Sequence, residues 1–144
     1  MTVTNVEGFL ATGVASGIKS NQELDLALIT TEDRKPVSAA GVFTSNKMTA
    51  APVLITRKHL EATGGAASTV VLNSGNANAA TGNQGLIDAE RMCELTAQGL
   101  GCESNEVLVC STGWIGYPLP MEAVTYGIKN AIDSLDSTQG TTAA

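Results

Sequence analysis

Apolar and polar positions follow two different periods along this chain, and the two periods predict strands and helices. Short apolar runs bounded by Gly, Pro, Asn or charged residues are typical of buried strands. Six segments show this pattern: residues 8–19 as a strand with a loop, 24–29, 37–44 with a bulge at Gly41, 52–56, 69–72 and 106–110. A charged turn is expected between Thr30 and Pro36. The chain is therefore rich in predicted strands over its first half.

Two later segments carry apolar residues at helical spacing. Residues 86–100 place Ala89, Met92, Cys93, Thr96 and Leu100 on one face, and residues 121–135 form a cleaner stripe behind Pro120. A short third helix is predicted over Arg57–Ala62, closed by Gly64 and Gly65. Residues 136–144 are small and polar, which predicts a linker or the approach to another element. The order favours one domain over residues 1–144, of layered α/β (α+β) class, with a mixed sheet packed by helices.

Two of the predicted strands end abruptly in small polar residues and glycine. The run 69–72 is followed by Asn73–Asn78, and the run 106–110 is followed by Ser111–Gly116. Where glycine-rich turns meet at a sheet edge, backbone N–H groups can approach a ligand because no Cβ blocks them. The Thr112 hydroxyl and the Gly113 N–H are therefore candidate donors to a developing negative charge. The alternative is an ordinary turn in which the Thr112 hydroxyl satisfies local backbone.

The three asparagines of Asn73–Asn78 allow two interpretations. Their amides can bind a polar ligand, or they can tie the loop together. Asparagine tolerates positive φ and caps helices, so the sequence favours the structural role.

Charge and cysteine usage narrow the function classes. The formal net charge is −6 and the eight basic residues are scattered, which argues against nucleic-acid binding. No apolar stretch is long enough for a bilayer, and the first residues do not resemble a secretory signal. Three cysteines without paired spacing fit a reducing cytosol. A soluble cytoplasmic protein is expected.

The residues offer no convincing nucleophile. Cys93 and Cys110 are predicted to be buried and inert, and Cys102 follows a glycine without an obvious partner. The single histidine, His59, lies in a charged segment and is expected to be exposed to solvent rather than catalytic. One histidine without clustered acids predicts no metal site, and no phosphate-loop or dinucleotide fingerprint occurs.

At its glycine and asparagine motifs the chain resembles the N-terminal part of bifunctional ornithine acetyltransferase, also called glutamate N-acetyltransferase, of arginine biosynthesis. The resemblance extends over nearly the whole length. It is carried by Gly8-Phe9, Ala11, Gly13-Val14, Gly17-Ile18-Lys19, Ala40 to Thr44 with Asn46, Ala51-Pro52-Val53, Leu72 to Ala79, Thr81-Gly82, Cys110 to Gly113, Ile115-Gly116 and Leu119-Pro120-Met121.

This resemblance implies a self-processing precursor, cut before a threonine into an α and a β chain that assemble as an α₂β₂ heterotetramer. The N-terminal threonine of the β chain would attack N-acetylornithine, and the resulting acetyl-enzyme would acetylate glutamate. Thr112 and Gly113 match the Thr-Gly pair of the family's oxyanion hole. No resident cofactor is expected, and acetyl-CoA stays open as a second acetyl donor. No nucleic-acid or membrane partner is expected.

The chain departs from the family pattern in two places. It stops before the family's self-cleavage motif and before its Thr-Thr-Asp segment. Thr141-Thr142 is not followed by an acid, so we do not equate it with that segment. Trp114 stands where an aliphatic residue is usual, so its ring either reshapes the pocket or packs away from it. We expect an oxyanion-donating fragment that is inactive alone. The alternatives are a related self-processing aminopeptidase that uses water as acceptor, and a non-catalytic half that supports assembly or binds an amino acid.

Overall fold

The computed structural model describes residues 2–143 and confirms a mixed α/β fold. The described residues form three α-helices and six strands. The helices are α1 (Ala51–Ala62), α2 (Gly82–Leu100) and α3 (Met121–Asp133), and the strands are β1 (Phe9–Val14), β2 (Leu26–Thr31), β3 (Val37–Ser38), β4 (Ala66–Ala67), β5 (Thr69–Asn73) and β6 (Val107–Ser111). Short 3-10 helices lie at Val3–Asn5, Ser104–Glu106 and Gln139–Thr141. The two strands that precede the predicted site, and the two helices predicted over 86–100 and 121–135, are therefore present.

The main sheet has the order β1-β2-β5-β6. β2 is antiparallel to both β1 and β5, whereas β5 and β6 run parallel and pair Asn73 with Ser111. A parallel pair needs a crossover connection, and here α2 lies within it. Because β5 and β6 are parallel, the polar segments Asn73–Asn78 and Ser111–Gly116 lie at the same end of the sheet.

The main core lies between one face of this sheet and the helices. Apolar side chains of β2, β5 and β6 pack there against α2 and α3: Leu26, Leu28, Val71, Val107 and Val109 from the sheet, and Ala89, Met92, Cys93, Val124 and Ile128 from the helices. A smaller cluster on the opposite face joins Ala11, Ala27 and Ala143. The helix stripes predicted from the sequence are thus confirmed as the buried faces.

The strand predicted over 52–56 is wrong, because this segment is the first half of α1. The buried positions of α1 recur with a period of about four residues: Ala51, Pro52, Ile55, Thr56, His59 and Leu60. Pro52 lies in the first turn, where its missing N–H costs no helical bond. The β-branched residues that suggested a strand are accommodated because burial against β6 outweighs their intrinsic preference for strands.

The strand predicted over 37–44 is present only as Val37–Ser38, paired with Ala66–Ala67 of β4. Val37 and Val42 are both exposed, so neither of these two apolar residues faces a core. Gly41 lies outside the strand and is therefore not a bulge. Without a second long strand beside it, the segment has no ladder to join.

Side chains and the C-terminal segment cover both edges of the main sheet. On β6, the Thr56 hydroxyl accepts from Val109 N at 2.9 Å and donates to Val109 O at 2.7 Å. On β1, Ala11 exchanges two backbone bonds with Asp136, and Gly13 N donates to the Thr142 hydroxyl at 3.2 Å. The polar tail is therefore a cover for β1 rather than a free linker. Within residues 2–143, no helix combines the length and apolar character that a bilayer crossing requires.

Candidate functional site

Backbone hydrogen bonds join the two polar clusters directly beyond the ends of β5 and β6. Thr112 N donates to Asn73 O at 3.0 Å, and Trp114 N donates to Gly75 O at 3.2 Å. Ala77 N returns a bond to Trp114 O at 3.0 Å. The structure therefore brings together the two turns that the sequence analysis singled out.

Gly113 is required by its conformation and by its neighbour. Its φ is +133°, a value that residues with a side chain rarely adopt. A Cβ on Gly113 would lie 2.3 Å from the Gly75 carbonyl carbon and 2.5 Å from Asn76 N. The two turns are thus in backbone-to-backbone contact, and any side chain at position 113 would push them apart.

The candidate donor pair lies in the turn that follows β6. Thr112 and Gly113 are both exposed. Among residues 2–143, neither the Thr112 hydroxyl nor the Gly113 N–H has a hydrogen-bond partner. Since β6 and the Asn73–Gly75 contacts fix the backbone on both sides, the two groups are held by the fold while remaining free to donate.

The asparagines of Asn73–Asn78 have the structural role that the sequence favoured. The Asn73 amide donates to Asn76 O at 2.8 Å, and the Asn76 amide donates to Pro118 O at 3.0 Å. The Asn78 amide donates to Gly85 O at 2.8 Å. All three side chains are buried, so they shape the turn and its contacts with the segment before α3.

A cleft of about 520 Å³ opens beside this turn, and the residues that line it include neither Thr112 nor Gly113. Residues 18–21 form one wall, and the other consists of Gly75, Asn76, Trp114, Tyr117, Pro118 and Pro120. Trp114 is 70% exposed and meets Tyr117 edge-on, with ring centroids 5.7 Å apart. The tryptophan at this position therefore lines the cleft rather than filling the space at Gly113.

His59 is buried, contrary to the exposed position expected from its charged neighbours. Its Nδ1 donates to Val107 O at 2.8 Å, because a carbonyl can only accept, and its Nε2 lies 3.2 Å from a Glu90 carboxylate oxygen. Lys58 contacts the other Glu90 oxygen at 3.0 Å. The ring thus fastens α1 to β6 and α2, a role that the local sequence does not reveal.

The cysteines divide by burial. Cys93 is fully buried as predicted. Its burial, and to a smaller extent the negative charges of the nearby Glu90 and Glu94, raise the pKa of its thiol. Cys110 is exposed, so the prediction that it is buried is wrong, although desolvation still raises the pKa of its thiol. Its side chain alternates with Val109 and so points away from the helices. Across residues 2–143, no cluster of three His, Cys, Asp or Glu side chains could hold a metal ion.

The ArgJ family profile matches residues 10–144. Arginine biosynthesis bifunctional protein ArgJ 1 of Clostridium acetobutylicum is 51% identical over 133 residues, which are 92% of this chain and 32% of that protein. The ArgJ protein of Streptomyces avermitilis is 46% identical over 144 residues, which are 100% of this chain and 37% of that protein. This chain therefore spans about a third of the length of these curated relatives.

Solved structures show the same similarity. Ornithine acetyltransferase of Mycobacterium tuberculosis, crystallised with ornithine, matches with a TM-score of 0.94 and 43% identity over 99% of this chain and 76% of that chain. The ArgJ protein of Bacillus halodurans matches with a TM-score of 0.90 and 38% identity, covering 99% and 72% of the two chains. The fold class expected from the sequence is therefore confirmed by relatives of known structure.

Proposed function

The chain belongs to the ArgJ family, and we propose that it is the oxyanion-donating N-terminal part of an enzyme that transfers acetyl from N-acetylornithine to glutamate in arginine biosynthesis. The observation that carries the proposal is the match, over 99% of this chain, to an ornithine acetyltransferase crystallised with ornithine. Thr112 and Gly113 are exposed, and their two candidate donors have no hydrogen-bond partner in the part of the chain that the structure describes, which is consistent with the proposal.

In the proposed mechanism a threonine supplied by the C-terminal part of the precursor attacks the acetyl carbonyl. The carbonyl oxygen becomes an oxyanion and accepts hydrogen bonds from the Thr112 hydroxyl and the Gly113 N–H. The C–N bond then breaks, and ornithine leaves as an amine with the proton that the threonine released. The glutamate amine attacks the acetyl-threonine in the same way, so the same two donors act twice.

The proposal includes the architecture that the resemblance implies. The precursor cuts itself before the nucleophilic threonine, and the two products assemble as an α₂β₂ heterotetramer in the cytoplasm. The chain spans about a third of its curated relatives, and the remaining two thirds would supply the nucleophile and further substrate contacts. No resident cofactor is needed for acetyl transfer by this route, and acetyl-CoA remains a second candidate donor.

The experiment is a fusion of this chain to the part of the Clostridium acetobutylicum relative that lies beyond the matched segment. After self-cleavage is verified by mass spectrometry, the product is assayed for acetyl transfer from N-acetylornithine to glutamate. A processed, assembled fusion that transfers acetyl supports the proposal, and a processed fusion without transfer contradicts it. The unfused chain is the control and is expected to be inactive.

Two further measurements distinguish the alternative functions. Peptide hydrolysis without acetyl transfer would identify an aminopeptidase-type enzyme that uses water as acceptor. Binding of ornithine derivatives to the unfused chain, measured by calorimetry, together with an inactive fusion, would identify a non-catalytic amino-acid-binding half.

A further inference from the structure

Asp25 is a buried carboxylate at the start of β2, with only 2% of the residue exposed. Its two oxygens accept from the backbone of the loop that connects β1 to β2. Oδ1 accepts from Ser16 N at 2.6 Å, and Oδ2 accepts from Lys19 N at 2.8 Å. Burial opposes ionisation, but the hydrogen bonds from Lys19 and Ser16 outweigh it and hold the pKa of Asp25 below its usual range. The carboxylate therefore fixes the shape of residues 16–19 as an anion.

The loop that Asp25 fixes is packed against the candidate site. Gly75 has φ +98°, and a Cβ there would lie 3.0 Å from Cγ2 of Ile18 and 3.2 Å from Cγ of Lys19. Gly75 contacts Gly113 on its other side, as described above. Ser74 N also donates to the Asp25 backbone carbonyl at 2.8 Å. Three layers thus lie in contact: the loop side chains, the backbone at Gly75 and the backbone at Gly113.

We propose that Asp25 is a positioning residue for the proposed acetyl transfer, which sets the direction of the Gly113 N–H through the Ile18–Lys19 loop and Gly75. This inference rests on the proposed function of the site. Neither Asp25 nor Gly113 is among the residues that line the 520 Å³ cleft, and Asp25 acts through the layers between it and Gly113. A donor that stabilises charge must be aimed where the charge develops, and a small displacement weakens it more in the transition state than in the bound substrate.

The test is Asp25→Asn, which keeps the shape and removes the charge. An amide has one acceptor oxygen, so either Ser16 N or Lys19 N is left facing an NH₂ group. In the fusion enzyme we expect kcat to fall about tenfold or more while KM stays within about twofold. The control is Asp33→Asn, which likewise removes a carboxylate charge but in an exposed turn, where the remaining amide oxygen can still accept from Lys35 N, 3.1 Å away in the wild type. The control is expected to leave both constants unchanged.

Amide hydrogen exchange on the 144-residue chain gives a readout that does not need the activity. Asp25→Asn is expected to speed exchange about tenfold at Ser16 and Lys19, and severalfold at Trp114, whose N–H bonds to Gly75 O. The amide of Val109, bonded to the Thr56 hydroxyl, is expected to stay protected. Faster exchange at Ser16 and Lys19 with an unchanged Trp114 would overturn the inference, as would an unchanged kcat.

A second variant decides the matter if Asp25→Asn also exposes Val109 and so unfolds the chain. Ile18→Ala leaves the carboxylate and its two bonds in place and removes the side chain that contacts Gly75. It is expected to speed exchange at Trp114 without doing so at Ser16, and an unchanged Trp114 would overturn the inference. If the wild-type fusion transfers no acetyl, the proposed function fails, while the exchange rates still report whether Asp25 controls the turn.

Discussion

Thr112 is the residue at which the proposed chemistry can be tested most cleanly. Its side chain is exposed and forms no hydrogen bond within residues 2–143, so changing it disturbs little else. Gly113 does not offer this, because any Cβ there meets the backbone of Gly75 and Asn76. A Gly113 variant would therefore lose activity whether or not its N–H is a donor.

We predict that Thr112→Val lowers kcat of the fusion enzyme by about 10² to 10³, the loss typical of one oxyanion donor. Valine has the shape of threonine without its hydroxyl, so KM and the melting temperature are expected to change little. Thr112→Ser restores the hydroxyl and is expected to recover most of the rate. Equal rates for the valine and serine variants would remove Thr112 from the mechanism.

Single residues also show which features leave a local signal in the sequence and which do not. Thr112 and Gly113 were selected as candidate donors from a local signal, because they closely follow the apolar run 106–110. Asp25 was missed because a lone acid between two leucines resembles a solvent-facing strand position. His59 was placed in solvent because its partners, Val107 and Glu90, are distant in sequence.

At the scale of elements, α1 is the informative case. Its apolar positions fit a helical period once the segment is read from Ala51, but the Val-Leu-Ile-Thr run inside it has strong strand preference. The helix covers the free edge of β6, and Thr56 pairs with both backbone groups of Val109. An edge strand covered in this way cannot pair with another chain.

We predict that Thr56→Val lowers the free energy of unfolding by about 1–3 kcal/mol, because it leaves the buried N–H and C=O of Val109 without a partner. Urea unfolding followed by circular dichroism measures the change. Thr125→Val is the matched control, since the Thr125 hydroxyl is exposed and bonds only to Met121 O of its own helix. The control is expected to shift stability by less than about 0.5 kcal/mol, and an equal loss in both variants would contradict the edge-pairing role.

For the whole molecule, the layered class and the positions of β5, β6, α2 and α3 were predictable because each depends on a local hydrophobic period. The strand order β1-β2-β5-β6 was not, because it depends on contacts between residues far apart in sequence. The same reason explains the cover over β1, where a polar tail without apolar periodicity gave no sign of its contact with Ala11.

The thiol reactivity of the three cysteines measures how tightly the structure packs around each of them. With an excess of thiol reagent we predict that Cys110 reacts first, Cys102 more slowly, and Cys93 only as the chain unfolds, because their burial increases in that order. Mass spectrometry after timed quenching gives the three rates. Labelling of Cys93 at the rate of Cys110 under native conditions would contradict the packing of α2 against the sheet.

The contact between the tail and β1 decides how this polypeptide can be shortened for laboratory use. A recombinant product ending at Leu135 would lack Asp136 and Thr142, the residues that pair with Ala11 and Gly13. The exposed edge of β1 would then favour fibrils or domain-swapped dimers during purification. Expression plasmids intended to yield dispersed, crystallisable material should therefore keep every codon through Ala143.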